Sequence, residues 1–107
     1  MRYQQPGPPP AVGARRALAL KPDFAEALNN LGNALDSLRR WDEAAECFRR
    51  ALALKPDYAE AHYNLGKVHL QQRRYDEGIA CCQRALALRP SFRDALGNIG
   101  YAWQEKG

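Results

Sequence analysis

The chain has 107 residues, 46% hydrophobic and 26% charged, which suits one soluble domain near the lower size limit for a single core. A formal charge of +4 and a pI near 9.2 permit an acidic partner or nucleic acid without demanding either. No stretch is apolar enough for a signal-peptide core or a membrane span, so a cytoplasmic location with no membrane role is expected.

The chain opens with MRYQQPGPPPAVG, residues 1–13, a Pro-rich leader expected to be extended. Residues 14–24 follow as a short helix over Ala14 to Leu20, which Pro22 is expected to stop. The phrase ALALKPDFAEALNN starts at Ala17, returns as ALALKPDYAEAHYN at Ala51 and again as ALALRPSFRDALGN at Ala85. Residues 17–50 and 51–84 share 19 identities in 34 positions without a gap. A period of that length means stacked supersecondary units, none of which can bury its apolar face alone.

Within a unit, Asp23, Asp57 and Ser91 stand three residues before Glu26, Glu60 and Asp94, the spacing of a capping box that starts a first helix. Leu28, Leu31 and Leu35 then form one stripe of a 3.6-residue period. The basic pairs Arg39-Arg40 and Arg73-Arg74 precede a turn. WDEAAECFRRALAL and YDEGIACCQRALAL run on as second helices, stopped at Pro56 and Pro90. Each unit is a helical hairpin. Gly32, Gly66 and Gly100 recur at one position, where a helical glycine costs about 1 kcal/mol against alanine, so a close helix–helix approach is expected there. Phe48, Trp41 and Tyr75 are the expected knobs. Three cysteines, Cys47, Cys81 and Cys82, lack C-x-x-C spacing and read as buried thiols, neither bridged nor holding zinc.

This pattern, AEALNNLGNAL followed by RRWDEAAECFRRALALKPD, resembles the tetratricopeptide repeat: a large residue then Leu-Gly in helix A, aromatic-Asp-Glu-Ala opening helix B, and a closing Ala-Leu and Pro. In that frame the units are 25–58 and 59–92 with a partial third, 93–107, and the remnant at 14–24. His62, Gly78 and Cys82 depart from the pattern. The resemblance implies an all-α, right-handed superhelix of helical hairpins, a solenoid whose concave groove binds a protein or peptide segment, with no catalysis and no cofactor. The phrase KPDFAEALNNLGN is also similar to the repeat arms of O-linked N-acetylglucosamine transferases, so a substrate-recruiting arm of a glycosyltransferase is an alternative.

The groove positions follow by register: Glu26, Glu60 and Asp94; Asn29, Tyr63 and Gly97; Asn30, Asn64 and Asn98; Asn33, Lys67 and Tyr101. Asparagine is a poor helix former, so three in one mid-helix register ask for a reason. A primary amide both donates and accepts, matching a peptide unit, so Asn30, Asn64 and Asn98 are expected to form a ladder along an extended ligand. The opposing expectation is that these amides bond the neighbouring helix or water. A two-carboxylate clamp fits poorly, because Asn29, Asp94 and Asn98 stand where it needs cations.

The remaining signals are weaker. His62 and His69 lie seven residues apart, about 10.5 Å along a helix, too far for one metal ion. The arginine pairs Arg39-Arg40, Arg49-Arg50 and Arg73-Arg74, with Arg84 and Arg89, offer a nucleic-acid stripe as a further alternative. Their late helical positions, opposite Asp42-Glu43 and Asp76-Glu77, also complement the helix dipole. No catalytic triad, phosphate loop or metal-ligand spacing occurs. Unfinished repeats at both ends leave apolar stripes, from which head-to-tail self-association is expected.

Overall fold

The computed structural model describes residues 10–107, with side chains from Phe24 onward. Residues 1–9 of the expected leader lie outside the described residues. Five helices, and no strand, occur among the described residues: α1 (Pro10–Ser37), α2 (Trp41–Leu54), α3 (Ala59–Gln71), α4 (Tyr75–Leu88) and α5 (Arg93–Lys106). Each helix packs on the next, and α1, α3 and α5 also touch along one side. The result is an all-α solenoid of helical hairpins.

The hairpin corners are built from backbone geometry. Arg39 and Arg73 adopt positive φ of 62° and 63°. The amide of Arg40 bonds the Leu35 carbonyl at 2.9 Å and that of Arg39 bonds Asp36 at 2.9 Å, with Arg74–His69 and Arg73–Leu70 repeating the pattern. These are Schellman ends, in which two orphan carbonyls of the closing helix are satisfied.

Two expectations fail at the helix starts. No side chain caps α2, α3, α4 or α5. The helices α3 and α5 begin after Tyr58 and Phe92, so Asp57 and Ser91 fall inside the preceding turns, too early to reach the orphan amides. The turns are closed instead by Tyr58 N–H to the Lys55 carbonyl (3.1 Å) and Phe92 N–H to that of Arg89 (3.0 Å). Second, α1 runs unbroken through Pro22 and begins at Pro10, so no separate helix ends at Leu20 and no extended leader reaches residue 13. The physical difference lies two residues past each proline. Phe92 is buried in a cluster with Cys82, Ala85 and Ala95, and Tyr58 packs on Ala25, Leu28, Ala51 and Ala61. Phe24, their counterpart, is exposed, so nothing pins a corner at Pro22.

The core is a run of small clusters, each spanning two or three consecutive helices. Helix pairs approach most closely at the repeated glycine. A Cβ on Gly32 would stand 2.5 Å from the Phe48 ring, and one on Gly66 would stand 2.9 Å from Cys82 Sγ and 3.0 Å from the Gly78 carbonyl oxygen. The departures from the repeat pattern are matched to each other: Cys82 takes the space of Phe48, and a Cβ on Gly78 would lie 2.5 Å from Leu70 Cδ2. Gly100 has nothing within 4 Å of that position. Leu31, expected in the apolar stripe, is 51% exposed, whereas its counterpart Leu65 is 7% exposed. Cys47 and Cys82 are buried, Cys81 is half-buried, and all three are free thiols. His62 Nε2 lies 2.9 Å from the Pro56 carbonyl.

His69 takes the position of Leu35 and is buried, with no partner for Nδ1 among the described residues. Burial lowers its pKa from 6.5, partly offset by the Glu77 carboxylate and reinforced by Arg49 and Arg74. A base whose folded pKa is depressed binds its proton first in the unfolded chain, so stability falls as pH drops below about 6.5 and is full above it.

Two predictions follow from this packing. Gly66→Ala should destabilise the chain by about 1–3 kcal/mol through overpacking, while Gly100→Ala should be neutral or stabilising by up to about 1 kcal/mol, both read by urea unfolding. His69→Leu should flatten the loss of stability between neutral pH and the acid side of the imidazole range, measured as unfolding midpoint against pH.

Candidate groove of the solenoid

Because α1, α3 and α5 line up on one side, residues at a 34-residue spacing become spatial neighbours. A hollow of about 360 Å³ lies there, lined by Asn29, Asn30 and Asn33 of α1, Glu60, Tyr63 and Asn64 of α3, and Asp94 of α5. Tyr58, Arg89 and Phe92, from the two interhelical turns, complete its wall. A second hollow of about 230 Å³ continues along the same side between Lys67, Leu70 and Gln71 of α3 and Asn98 and Tyr101 of α5. Of the twelve residues singled out by register, ten line one hollow or the other, and Gly97 lines neither. Glu26 lines neither: it is exposed on α1, near enough to Tyr58 to raise the pKa of its hydroxyl.

The three asparagines of the ladder register meet different surroundings. Asn30 is exposed. Asn64 is buried, and its Nδ2 donates to Oδ1 of Asn29, also buried, at 2.9 Å. Its amide is therefore engaged by the neighbouring helix, one residue out of register. At the next junction the counterpart of Asn29 is Tyr63, and Asn98 Nδ2 is buried without a hydrogen-bond partner among the described residues. The Tyr63 hydroxyl and the Cys82 thiol both feel the Asn98 amide, yet neither meets it in hydrogen-bonding geometry. A uniform ladder of free amides is therefore absent: the middle rung is tied across α1 and α3.

The charges are set by the walls. Burial raises the Tyr63 hydroxyl pKa, and the Asp94 carboxylate adds to that effect. Tyr58 is raised by burial and then by Glu60 and Glu26. Arg89 stacks over Phe92 at 4.2 Å, and Tyr63 and Phe92 pack with ring centroids 4.9 Å apart. Lys67 lies 3.6 Å from Asp36 and faces the Tyr63 ring at 5.8 Å. The first hollow thus presents Glu60 and Asp94 outside any ion pair among the described residues, with its arginine over an aromatic ring. Burial pushes Cys82 up to about 11, so the thiol behind the groove stays protonated and inert at neutral pH. Among the described residues no group of three His, Cys, Asp or Glu side chains could hold a metal ion, and no helix is long and apolar enough to cross a membrane.

Register reasoning missed Tyr58, Arg89 and Phe92, since it considered helix A alone. The signal was present in the recurring aromatic at 24, 58 and 92, two residues past each proline. The contrast between the two junctions is measurable. Asn64→Ala orphans the buried Asn29 oxygen and should cost about 1–3 kcal/mol, whereas Asn98→Ala should cost well under about 1 kcal/mol, since it removes a donor with no partner; chemical denaturation compares them.

No curated protein matches the sequence. A sequence model of the tetratricopeptide repeat matches residues 13–46 and 30–92. The fold is similar to the crystal structure of MamA, at 34% identity and TM-score 0.75, over 78% of this chain and 48% of that one, so the chain spans about half of MamA. It is also similar to the second tetratricopeptide domain of Spaghetti (RPAP3) bound to the HSP90 peptide SRMEEVD, at 25% identity and TM-score 0.81, covering 86% of this chain and 84% of that one. The tetratricopeptide domain of Arabidopsis OM64, at 19% identity and TM-score 0.78 over 79% of this chain and 70% of that one, shares the fold. With the repeat matched across most of its helices, the chain belongs to the tetratricopeptide repeat family.

Proposed function

We propose that this chain is a non-catalytic interaction scaffold that holds an extended segment of a partner protein along α1, α3 and α5. The observation that carries the reading is the pair of hollows lined by side-chain amides at repeat spacing, Asn29, Asn30, Asn33 and Asn64 in one and Asn98 in the other. Amides match the donor and acceptor of a peptide unit and are indifferent to its sequence. Asn98 contributes its amide, which no neighbouring side chain among the described residues engages through Nδ2. Asn64 acts indirectly, by fixing α3 against α1 through Asn29. The three amides outside the Asn64–Asn29 bond, Asn30, Asn33 and Asn98, at about 0.5–1.5 kcal/mol each fall short of micromolar affinity, so the rest comes from side chains seated against Tyr63, Lys67 and Tyr101.

The similar Spaghetti domain binds an HSP90 peptide rich in acidic residues. Here Glu60 and Asp94 stand on the walls and repel such a ligand. This groove therefore selects a different segment. The glycosyltransferase-arm alternative rests on sequence resemblance alone, and of the arginines that carry the nucleic-acid alternative Arg89 alone lines one of the two hollows, while Arg49, Arg50 and Arg84 stand exposed on α2 and α4, outside both. Partners of the same polypeptide class include a second copy of this chain, because apolar residues stand exposed on the first and last helices: Phe24 and Leu31 on α1, Leu96 and Trp103 on α5.

Selection from a displayed random-peptide library, followed by fluorescence anisotropy, tests the groove. The Asn30→Ala, Asn98→Ala double variant should weaken the selected peptide by about tenfold at unchanged melting temperature, and SRMEEVD should compete poorly. A selected peptide that is indifferent to the double variant and is displaced by charge reversal at Arg49 and Arg84 overturns the reading.

A further inference from the structure

The chain carries a formal charge of +4, yet the wall of its first hollow is acidic. Glu60 lines it from α3 and Asp94 from α5, both exposed and neither in an ion pair among the described residues. The single cation in that wall, Arg89, lies over the Phe92 ring at 4.2 Å, so two carboxylates stand against one guanidinium. Their field reaches the tyrosines beside them. Burial is the larger cause of the raised pKa of both hydroxyls, and Glu60 adds to it at Tyr58 and Asp94 at Tyr63. The buried amides supply a second, independent feature. Asn29 and Asn64, 6% and 7% exposed, line the hollow and are joined through Nδ2 of Asn64 and Oδ1 of Asn29. That bond leaves Oδ1 of Asn64 as an acceptor to which no side chain among the described residues donates.

We infer that the first hollow takes a lysine or arginine side chain of the bound segment, its charged head between Glu60 and Asp94 and its stem along Tyr58 and Tyr63. An ammonium or guanidinium carries only donors, and the three groups that wait for it, two carboxylates and the Asn64 oxygen, are acceptors. A half-buried acceptor strengthens the match, because a hydrogen bond made out of water is electrostatically stronger than one made in it. Ring faces favour a cation, and the apolar stem covers aromatic surface while the head stays among polar groups. The requirement belongs to one position of the ligand. The second hollow has no carboxylate in its wall, and its Lys67 stands 3.6 Å from Asp36.

This inference rests on the groove reading above, and its test separates the two. The 107-residue chain is passed over three immobilised pools of random peptides, with Lys, Leu or Glu fixed at the central position, and its retention is compared. The Lys pool should hold it about fivefold better than the Leu pool, with the Glu pool weakest. Attraction to net charge alone gives the reverse order, since a chain of +4 favours the Glu pool, and that order overturns the inference. Glu60→Gln with Asp94→Asn should abolish the preference, so that the Lys and Leu pools hold the variant alike, and Glu60→Lys with Asp94→Lys should shift it to the Glu pool. Both carboxylates stand in the first turn of a helix, where they also complement its dipole, so melting temperature is read beside retention. A lowered melting temperature with the Lys preference intact assigns them to the helices alone and overturns the inference. Equal retention on all three pools, weakened by Asn30→Ala with Asn98→Ala, overturns the cation while leaving the groove standing. Retention on no pool, or retention untouched by either the carboxylate or the asparagine substitutions, overturns both readings.

Discussion

The structure depends on how closely the two helices of a hairpin can approach at one glycine. With the Phe48 ring 2.5 Å and the Cys82 sulfur 2.9 Å from where a Cβ would sit on Gly32 and Gly66, no other residue fits without displacing the side chain opposite. That contact sets the separation of each pair, and the separation sets how α1, α3 and α5 line up. The helical penalty of glycine, about 1 kcal/mol, is offset because the aromatic ring or the thiol loses its exposed surface there. Gly78 extends the device to the second hairpin. Its missing side chain admits Leu70, so the smaller Cys82 opposite Gly66 leaves no hole.

The groove is a consequence of that alignment, and its polar lining is partly structural. The Asn64 to Asn29 bond joins α3 to α1 in a buried setting, where an unpaired amide would cost more than an exposed one. A polar contact of this kind fixes the register of two helices more sharply than alanine against alanine could. The same position at the next junction lacks its acceptor, because Tyr63 stands where Asn29 stood. One asparagine register therefore does two jobs: it ties helices together where a second amide is opposite, and keeps hydrogen-bonding capacity in hand where an aromatic is opposite.

Much of this was legible in the sequence because repetition turns weak local signals into strong ones. The 34-residue period, the glycine register and the basic pairs before each turn placed the hairpins, the close approaches and the corners at Arg39 and Arg73. What was not legible depends on partners in space. Asp57 and Ser91 sit at the spacing of a capping box, but Tyr58 and Phe92 move the helix starts past them as their rings pack into the core. The fate of the asparagines was hidden for a related reason. Whether an amide faces a ligand or a neighbour depends on the residue 35 positions earlier, and a register that compares like with like never pairs position 64 with 29.

The nine identical residues at 15–23 and 49–57 put the point in its sharpest form. The same letters, including the proline, run straight through α1 in one place and turn between α2 and α3 in the other. Local propensity is equal by construction, so the difference comes from what the following aromatic touches. A proline inside a helix costs about 3 kcal/mol, and burying an aromatic side chain returns about 1.5–3 kcal/mol. Turning is thus favoured when Tyr58 or Phe92 finds a cluster to enter, and the straight helix, with its many other backbone bonds intact, prevails where Phe24 finds none. In a solenoid the corner after each repeat is accordingly a property of the neighbouring repeat, and the chain encodes it as an aromatic two residues past the proline.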